Sequence, residues 1–193
     1  MPLSIKILEF LLSIIFNLFC MLTIVRLYMQ LAKVSFANPI GQIVIKLTNW
    51  LVLPLQRILP KLKRFDLPTF VAAYLCSFLH TILLVLIGFW AIYGNQLFTA
   101  QAFAYIAWGA TLNLAKLFIH MLSAIIIIQV ILSWIRPSSP SAWFAFMFTQ
   151  QMSAPLINPI KKRLPLIAGL DFSPFVALLL LQLMIIIINH FMP

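Results

Sequence analysis

The stretch NPIKKRLP at residues 158–165 sets three adjacent cations between two prolines, and long apolar segments lie on both sides of it. A related stretch, LPLQRILP, occupies residues 53–60. Because proline fixes φ and lacks a backbone N–H, each stretch predicts a stiff polar break in a chain that is otherwise apolar. The two stretches together indicate that one structural unit occurs twice.

The composition of the chain excludes a soluble globular domain. Of its 193 residues, 64% are hydrophobic and 8% are charged, and the mean hydropathy is +1.10, whereas soluble domains carry about 25% charged residues. A net charge of +10 is also typical of nucleic-acid binders, but membrane topology explains the same cations, so no nucleic acid is expected. We therefore predict an all-α integral membrane protein.

Four apolar segments are long enough to cross a bilayer, which takes about 20 residues of helix. Between the second and third segments lies an uncharged, aromatic-rich linker, which we expect at the outer interface; a fifth span over 95–111 is the alternative. The predicted spans are about 7–31, 68–93, 112–135 and 174–191.

The basic residues follow the first and third spans, and such loops stay on the cytoplasmic side. Loop 32–67 carries six cations and loop 136–173 carries four, whereas the linker carries none. Both loops are thus predicted inside and both termini outside. The cations expected to face anionic headgroups or a protein partner are Arg57, Lys61, Lys63, Arg64, Lys161, Lys162 and Arg163.

A shift of 105 positions aligns the two halves without a gap over residues 51–72. Each half contains a span, a basic loop and a span, and an even number of spans per half makes the repeats parallel. The predicted units are a first repeat at 1–95, a linker at 96–111 and a second repeat at 112–193. The residues to which the alignment assigns a structural role are Pro54, Pro60, Asp66, Pro159, Pro165, Asp171 and Pro174.

Each loop is predicted to begin with a capped helix, since Asn38 and Ser139 are good N-cap residues and each precedes a proline. Residues 40–53 separate polar from apolar side chains, as in a helix lying in the headgroup plane, and 141–153 are a more apolar counterpart. The later prolines are expected to end these helices and begin a short basic helix. The aspartate before each following span should favour the positive end of that helix.

Polar residues inside spans are candidates for function. At about 1.5 Å per residue, His80 and His120 reach similar depths, with Asn17 near them. Two such imidazoles could ligate haem; hydrogen bonds between helices are the interpretation that we prefer. Arg26 either reaches the headgroups or pairs with one of the loop aspartates, and Gln129 is expected in a helix–helix contact.

Three stretches carry a resemblance to a known family: RLYMQLAKVSFANPIGQ at 26–42, PLQRILP at 54–60 and PLINPIKKRLPLIAGLDFSPF at 155–175. The chain resembles the YggT family of bacterial inner-membrane proteins over both halves. The resemblance implies two YggT repeats, with chloroplast relatives linked to haem attachment in cytochrome b6 and to nucleoid organisation. It also implies an association with the cell-division gene neighbourhood and with tolerance of osmotic shock.

No phosphate-binding loop, HExxH motif or acid–base pair within the bilayer is present in the sequence, so neither an enzyme nor a metal site is predicted. We expect a scaffold or assembly factor whose basic loops bind anionic lipid and a division or assembly protein. A homo-oligomer is compatible with the sequence. An ion channel or transport component in osmotic stress is the alternative, although a pore needs polar rings. No cofactor is expected unless the two histidines bind haem.

Overall fold

The computed structural model describes residues 3–60, 65–90, 100–135, 139–164 and 171–192. The described residues form α-helices and no β-strand, which confirms the predicted all-α class. The helices are α1 (Leu3–Leu31), α2 (Pro39–Ile58), α3 (Leu67–Trp90), α4 (Ala100–Ile135), α5 (Pro140–Lys161) and α6 (Ser173–His190).

Among the described residues, α1, α3, α4 and α6 are long and apolar enough to cross a membrane. Each of these helices keeps a set of large apolar side chains exposed in the isolated chain, as expected of helix faces that contact lipid. On α6, for example, these side chains are Leu179, Leu180, Leu183, Ile186 and Ile187. The prediction of a multi-pass membrane protein with four spans is therefore confirmed.

Helix α4 is longer than the predicted third span. It begins at Ala100, so residues 100–111 of the expected linker form its first turns, while residues 91–99 lie outside the described part of the chain. This segment is rich in alanine, a strong helix former, and it contains no proline. A helix of 36 residues is about 54 Å long, so α4 extends beyond a hydrocarbon core of about 30 Å.

The two loop helices, α2 and α5, begin with the predicted caps. The Oδ1 of Asn38 accepts a hydrogen bond from the N–H of Gly41 at 2.6 Å, and the Oγ of Ser139 accepts one from the N–H of Ala142 at 3.3 Å. A proline follows each cap in the first helical turn. The first turn of α2 needs glycine, since a Cβ on Gly41 would lie 2.8 Å from the Cα of Phe36.

The prediction that the later prolines end the loop helices is wrong. Pro54 lies inside α2, and Pro155 and Pro159 lie inside α5. Each internal proline removes one hydrogen bond to the carbonyl four residues earlier. Helix α5 continues because packing supports it, with Met152 and Ile157 buried in the core.

The remaining prolines of the repeated box have separate positions. Pro60 directly follows Leu59, the C-cap of α2, and Pro174 lies in the first turn of α6. Pro165 lies outside the described residues. These positions are consistent with proline outside or at the start of a helix, where no intrahelical hydrogen bond is lost.

The two repeats pack into one bundle. The hydroxyl of Tyr28 on α1 donates to the carbonyl of Met152 on α5 at 2.8 Å, so the halves are joined by a buried contact. The N-terminal turns of α2 and α5 border a shared hollow of about 460 Å³, which places both loop helices at the same end of the bundle. This arrangement agrees with parallel repeats. Core residues contributed by both halves include Cys20, Ile24, Met29, Ala73, Ile126, Ala177 and Leu181.

Candidate functional site

Polar side chains meet where each loop helix packs on the first span of its repeat. In the first repeat, the Nη1 of Arg26 donates to Thr48 Oγ1 at 2.8 Å and to Asn49 Oδ1 at 2.9 Å. In the second repeat, the hydroxyl of Ser153 donates to Gln129 Oε1. The duplication therefore extends to a helix–helix contact, but with a cation in one copy and a neutral amide in the other.

The expectation that Arg26 reaches the headgroups is wrong, and the expected pairing with a loop aspartate is present only as a charge attraction to Asp66, without a hydrogen bond. The side chain is only 7% exposed, so it does not reach the surface, and its acceptors are the hydroxyl and amide oxygens of α2 rather than an aspartate. Helix α2 packs over this part of α1 through Val44 and Thr48, and this packing blocks the route outward. The Nε of Arg26 is buried without a hydrogen-bond partner, so the guanidinium depends strongly on the two acceptors it has.

The structure places an aspartate directly before α3 and another before α6, but in different surroundings. The Oδ2 of Asp66 accepts hydrogen bonds from Gln30 at 2.8 Å and from Thr69 at 2.7 Å. The Oδ2 of Asp171 instead lies 2.9 Å from Lys161 Nζ, with 32% of the Asp171 side chain exposed. The first carboxylate therefore binds uncharged donors, and the second forms an ion pair at the surface.

Asp171 is held in its charged form. Its Oδ1 accepts a hydrogen bond from the N–H of Ser173 at 2.9 Å, at the N-terminal end of α6, where the helix dipole favours negative charge. The hydrogen bonds from Ser173, followed by the hydrogen bond and charge of Lys161, lower the pKa of Asp171 below its ordinary value. The ion pair is therefore present at neutral pH.

The ion pair borders a polar cleft of about 300 Å³ between α4, α5 and the start of α6, which we call the α5 cleft. A second hollow of about 480 Å³, the α5 groove, lies on the neighbouring face of α5 beside Ala32. The two hollows share Gln151, Ala154 and Asn158. The other polar residues of the α5 cleft are Gln129, Gln150, Ser153, Lys161 and Asp171.

The predicted basic residues lie at the ends of the loop helices. Lys161, Lys162 and Arg163 are exposed at the C-terminal end of α5, and Arg57 is exposed in the last turn of α2. Lys162 also borders the α5 groove. The predicted residues Lys61, Lys63 and Arg64 lie outside the described part of the chain.

The intramembrane histidines have different surroundings. His80 is buried, with its Nε2 3.1 Å from Ser13 Oγ and its ring stacked on Phe16 at 5.9 Å. His120 is exposed, and its Nδ1 lies 2.8 Å from a carbonyl one turn earlier in α4. The side-chain oxygen of Asn17 is buried without a hydrogen-bond partner. Within the described residues, no group of three or more His, Cys, Asp or Glu side chains could hold a metal ion.

Gln129 was predicted to lie in a helix–helix contact, whereas its partner Ser153 and the partners of Arg26 were not predicted. The sequence of α2 does contain a signal for a polar partner. Thr48 occurs one helical turn after Val44, on the face of α2 that packs against the bundle, and a hydroxyl on a packed face implies a polar neighbour. The identity of that neighbour requires the register between α1 and α2, which the sequence does not supply.

The helices and these polar contacts define a multi-pass α-helical membrane protein built from two similar span–loop helix–span units. A family model described as CCB3/YggT matches residues 5–87 and 108–192, one match for each unit. The chain belongs to the CCB3/YggT family.

The relatives found by comparison of curated sequences are uncharacterized. The chain is 33% identical over 174 residues to an uncharacterized protein in the proC 3′ region of Vibrio alginolyticus, which covers 90% of this chain and 89% of that protein. It is 31% identical over 175 residues to the uncharacterized protein YggT of Escherichia coli K12, at 90% and 85% coverage. No solved structure matches the chain.

Proposed function

We propose that this protein is a non-enzymatic scaffold or assembly factor of the bacterial inner membrane, with both termini on the outer side. Its cytoplasmic loop helices bind anionic lipid and present a surface to a protein partner in division, envelope or cytochrome assembly. The observation that carries the proposal is the row of exposed cations, Lys161, Lys162 and Arg163, at the end of a loop helix that packs into the bundle.

The fixed position of these cations supports a binding role. Lys161 is tied to Asp171 at the start of α6, and buried Met152 and Ile157 fix α5 to the bundle. The helix that carries the row is therefore already in place before a lipid or protein arrives, which lowers the entropic cost of binding. Each unpaired cation near an anionic leaflet contributes about 1 kcal/mol, so Lys162 and Arg163 are enough for a measurable preference.

The buried polar contacts support a structural rather than a conducting bundle. An ion channel needs polar groups that line a continuous path, whereas several polar side chains within these spans form separate contacts between helix pairs. Two such pairs are His80 with Ser13 and Asn113 with Ser77. The scaffold is therefore favoured over the channel or transport component.

The proposal is tested by replacing Lys161, Lys162 and Arg163 together with Gln. The purified protein is reconstituted in phosphatidylcholine, and the association of spin-labelled phosphatidylglycerol is measured relative to spin-labelled phosphatidylcholine. We expect the preference for phosphatidylglycerol to fall at least about tenfold at low salt, since the two unpaired cations each contribute about 1 kcal/mol, and added salt should reduce the difference.

Lys6→Gln is the control, because Lys6 is an exposed cation at the end of α1 that is predicted to lie outside. It should leave the preference unchanged. Equal lipid preference in the triple variant and the unaltered protein would contradict the proposed lipid contact.

A further inference from the structure

The two hollows beside α5 differ from an ordinary basic surface because they are rich in hydrogen-bond acceptors. Pro155 and Pro159 have no N–H, so the carbonyls of Gln151 and Pro155 lose their usual donors four residues later. Gln151 and Pro155 both border the α5 groove. Each of these carbonyls therefore has capacity to accept a donor from outside the helix.

The α5 cleft adds charged and neutral acceptors beside these carbonyls. Asp171 borders the cleft and is ionised, with the N–H of Ser173 at its Oδ1 and Lys161 at its Oδ2. A carboxylate accepts about four hydrogen bonds, so Asp171 has capacity left. The Oε1 of Gln129 lies in the same cleft and accepts only from Ser153 among the residues that the structure describes.

Donors for an anion lie next to these acceptors. Lys162 borders the α5 groove, and Arg163 follows it at the surface; in the described part of the chain neither has an ion-pair partner. Asn158 borders both hollows. The site therefore offers positive donors on one side and negative or neutral acceptors on the other.

The location of the hollows fits the membrane interface. Helix α6 has 18 residues and is about 27 Å long, close to the thickness of the hydrocarbon core. Its first residue, Ser173, thus lies near one boundary of the core. Asp171 and the end of α5 then lie at the level of the headgroups.

We propose that the α5 cleft and the α5 groove together bind the phosphoethanolamine headgroup of phosphatidylethanolamine. The primary ammonium donates to Asp171 and to the carbonyls freed by Pro155 and Pro159, and the phosphate accepts from Lys162 and Arg163. The inference rests on the proposed function in one respect: it takes from it the position of the loop helices at the headgroups of the inner leaflet. Phosphatidylcholine carries a phosphate but no N–H donor, and phosphatidylglycerol carries no ammonium, so neither satisfies both sides of the site.

The first repeat provides an internal comparison. Helix α2 has one internal proline, Pro54, and therefore one freed carbonyl instead of two. Asp66 has both its hydrogen bonds on Oδ2 from Gln30 and Thr69, and its Oδ1 is buried without a hydrogen-bond partner. The Asp66 carboxylate is thus inaccessible to a lipid headgroup, and the proposed site occurs in the second repeat.

The experiment measures the association of spin-labelled phosphatidylethanolamine relative to spin-labelled phosphatidylcholine in the full-length protein reconstituted in phosphatidylcholine. The unaltered protein should prefer phosphatidylethanolamine by about tenfold or more, since two or three charge-assisted hydrogen bonds are gained. Asp171→Asn should reduce this preference several-fold and leave the association of phosphatidylglycerol intact or higher. If the unaltered protein shows no preference for phosphatidylethanolamine, this inference is overturned. The proposed function fails only if the protein also shows no preference for phosphatidylglycerol.

Pro155→Ala separates recognition from folding. It returns a donor to the carbonyl of Gln151, so the helix should become more stable while the preference for phosphatidylethanolamine falls. Pro54→Ala makes the same change in α2 and should leave the preference unchanged. An unchanged preference in Pro155→Ala, or an equal loss in Pro54→Ala, contradicts the assigned site.

Free O-phosphoethanolamine distinguishes a lipid from a soluble ligand with the same headgroup. It should compete with the lipid only at millimolar concentration, because the acyl chains hold the lipid at the interface. If it binds as tightly as the lipid, the ligand is a soluble phosphoethanolamine compound, and the lipid assignment is overturned.

Discussion

The two loop helices, α2 and α5, begin in the same way but contact different side chains of the preceding span. Both begin with an N-cap residue followed by proline. In both, a hydroxyl side chain forms a hydrogen bond with a long polar side chain of the preceding span. In the first repeat that side chain is the buried cation Arg26, held by Thr48; in the second it is the neutral Gln129, beside an open cleft. One fold thus supports an enclosed charged contact in one copy and an accessible polar site in the other.

The largest expected effect is on the enclosed contact. Thr48→Val removes one of two acceptors from a guanidinium that stays charged, and the free energy of unfolding should fall by about 1.5–3 kcal/mol. The matched variant Ser153→Ala removes a hydrogen bond to a neutral amide and should cost about 0.5–1.5 kcal/mol. Both are measured by equilibrium unfolding of the detergent-solubilised protein. Equal costs would remove the proposed difference between the repeats.

The first turns of the loop helices provide the second comparison. Gly41→Ala places a methyl group 2.8 Å from the Cα of Phe36, and overpacking against backbone costs about 1–3 kcal/mol. Ala142 is the counterpart in α5, and Ala142→Gly should cost at most about 1 kcal/mol through helix propensity. The two unfolding free energies test this order, and a neutral Gly41→Ala variant would show that the turn has more space than described.

The caps should give nearly equal effects. Asn38→Ala and Ser139→Ala each remove the side-chain acceptor of a first-turn N–H, which costs about 1 kcal/mol. Thermal unfolding of the two variants is the measurement. A loss in only one of them would mean that the other loop helix depends on packing alone.

The smallest effect is the pH dependence of the Asp171–Lys161 pair. Because the folded state lowers the pKa of Asp171, the pair stabilises the protein above the ordinary carboxyl pKa of about 4 and loses its contribution as the pH falls through the lower folded-state value. The pair is partly exposed, so the loss should stay below about 1 kcal/mol. Unfolding at pH 7 and pH 3 measures it. Asp171→Asn should remove this part of the pH dependence, and an unchanged pH profile would contradict the assignment.

Most of the fold followed from local rules. Runs of apolar residues predicted the four spans, and Asn38 and Ser139 predicted the starts of α2 and α5, because both signals depend on neighbours in the chain. The internal prolines were misjudged for the opposite reason. Whether a helix continues past Pro155 depends on the packing of Met152 and Ile157 against other helices, and no local pattern reports this packing.

The candidate site was only partly predictable. The cations at 161–163 are visible as a charge cluster, and the repeat identifies Asp171. The ion pair between Lys161 and Asp171, and the cleft that it borders, require the path of the chain between α5 and α6. Likewise, His80 and His120 lie at similar predicted depths, but one is buried and the other is exposed. Depth alone does not determine how each helix is rotated about its axis.

The proposed topology has parallel repeats, with both loop helices on the cytoplasmic side. This topology is tested with two variants, Arg57→Cys and Arg163→Cys, each in a chain in which alanine replaces Cys20 and Cys76. The single cysteine of each variant is labelled with a membrane-impermeant maleimide. We predict labelling of both positions in inverted membrane vesicles and of neither in right-side-out vesicles. Labelling of the two positions from opposite sides would contradict the account.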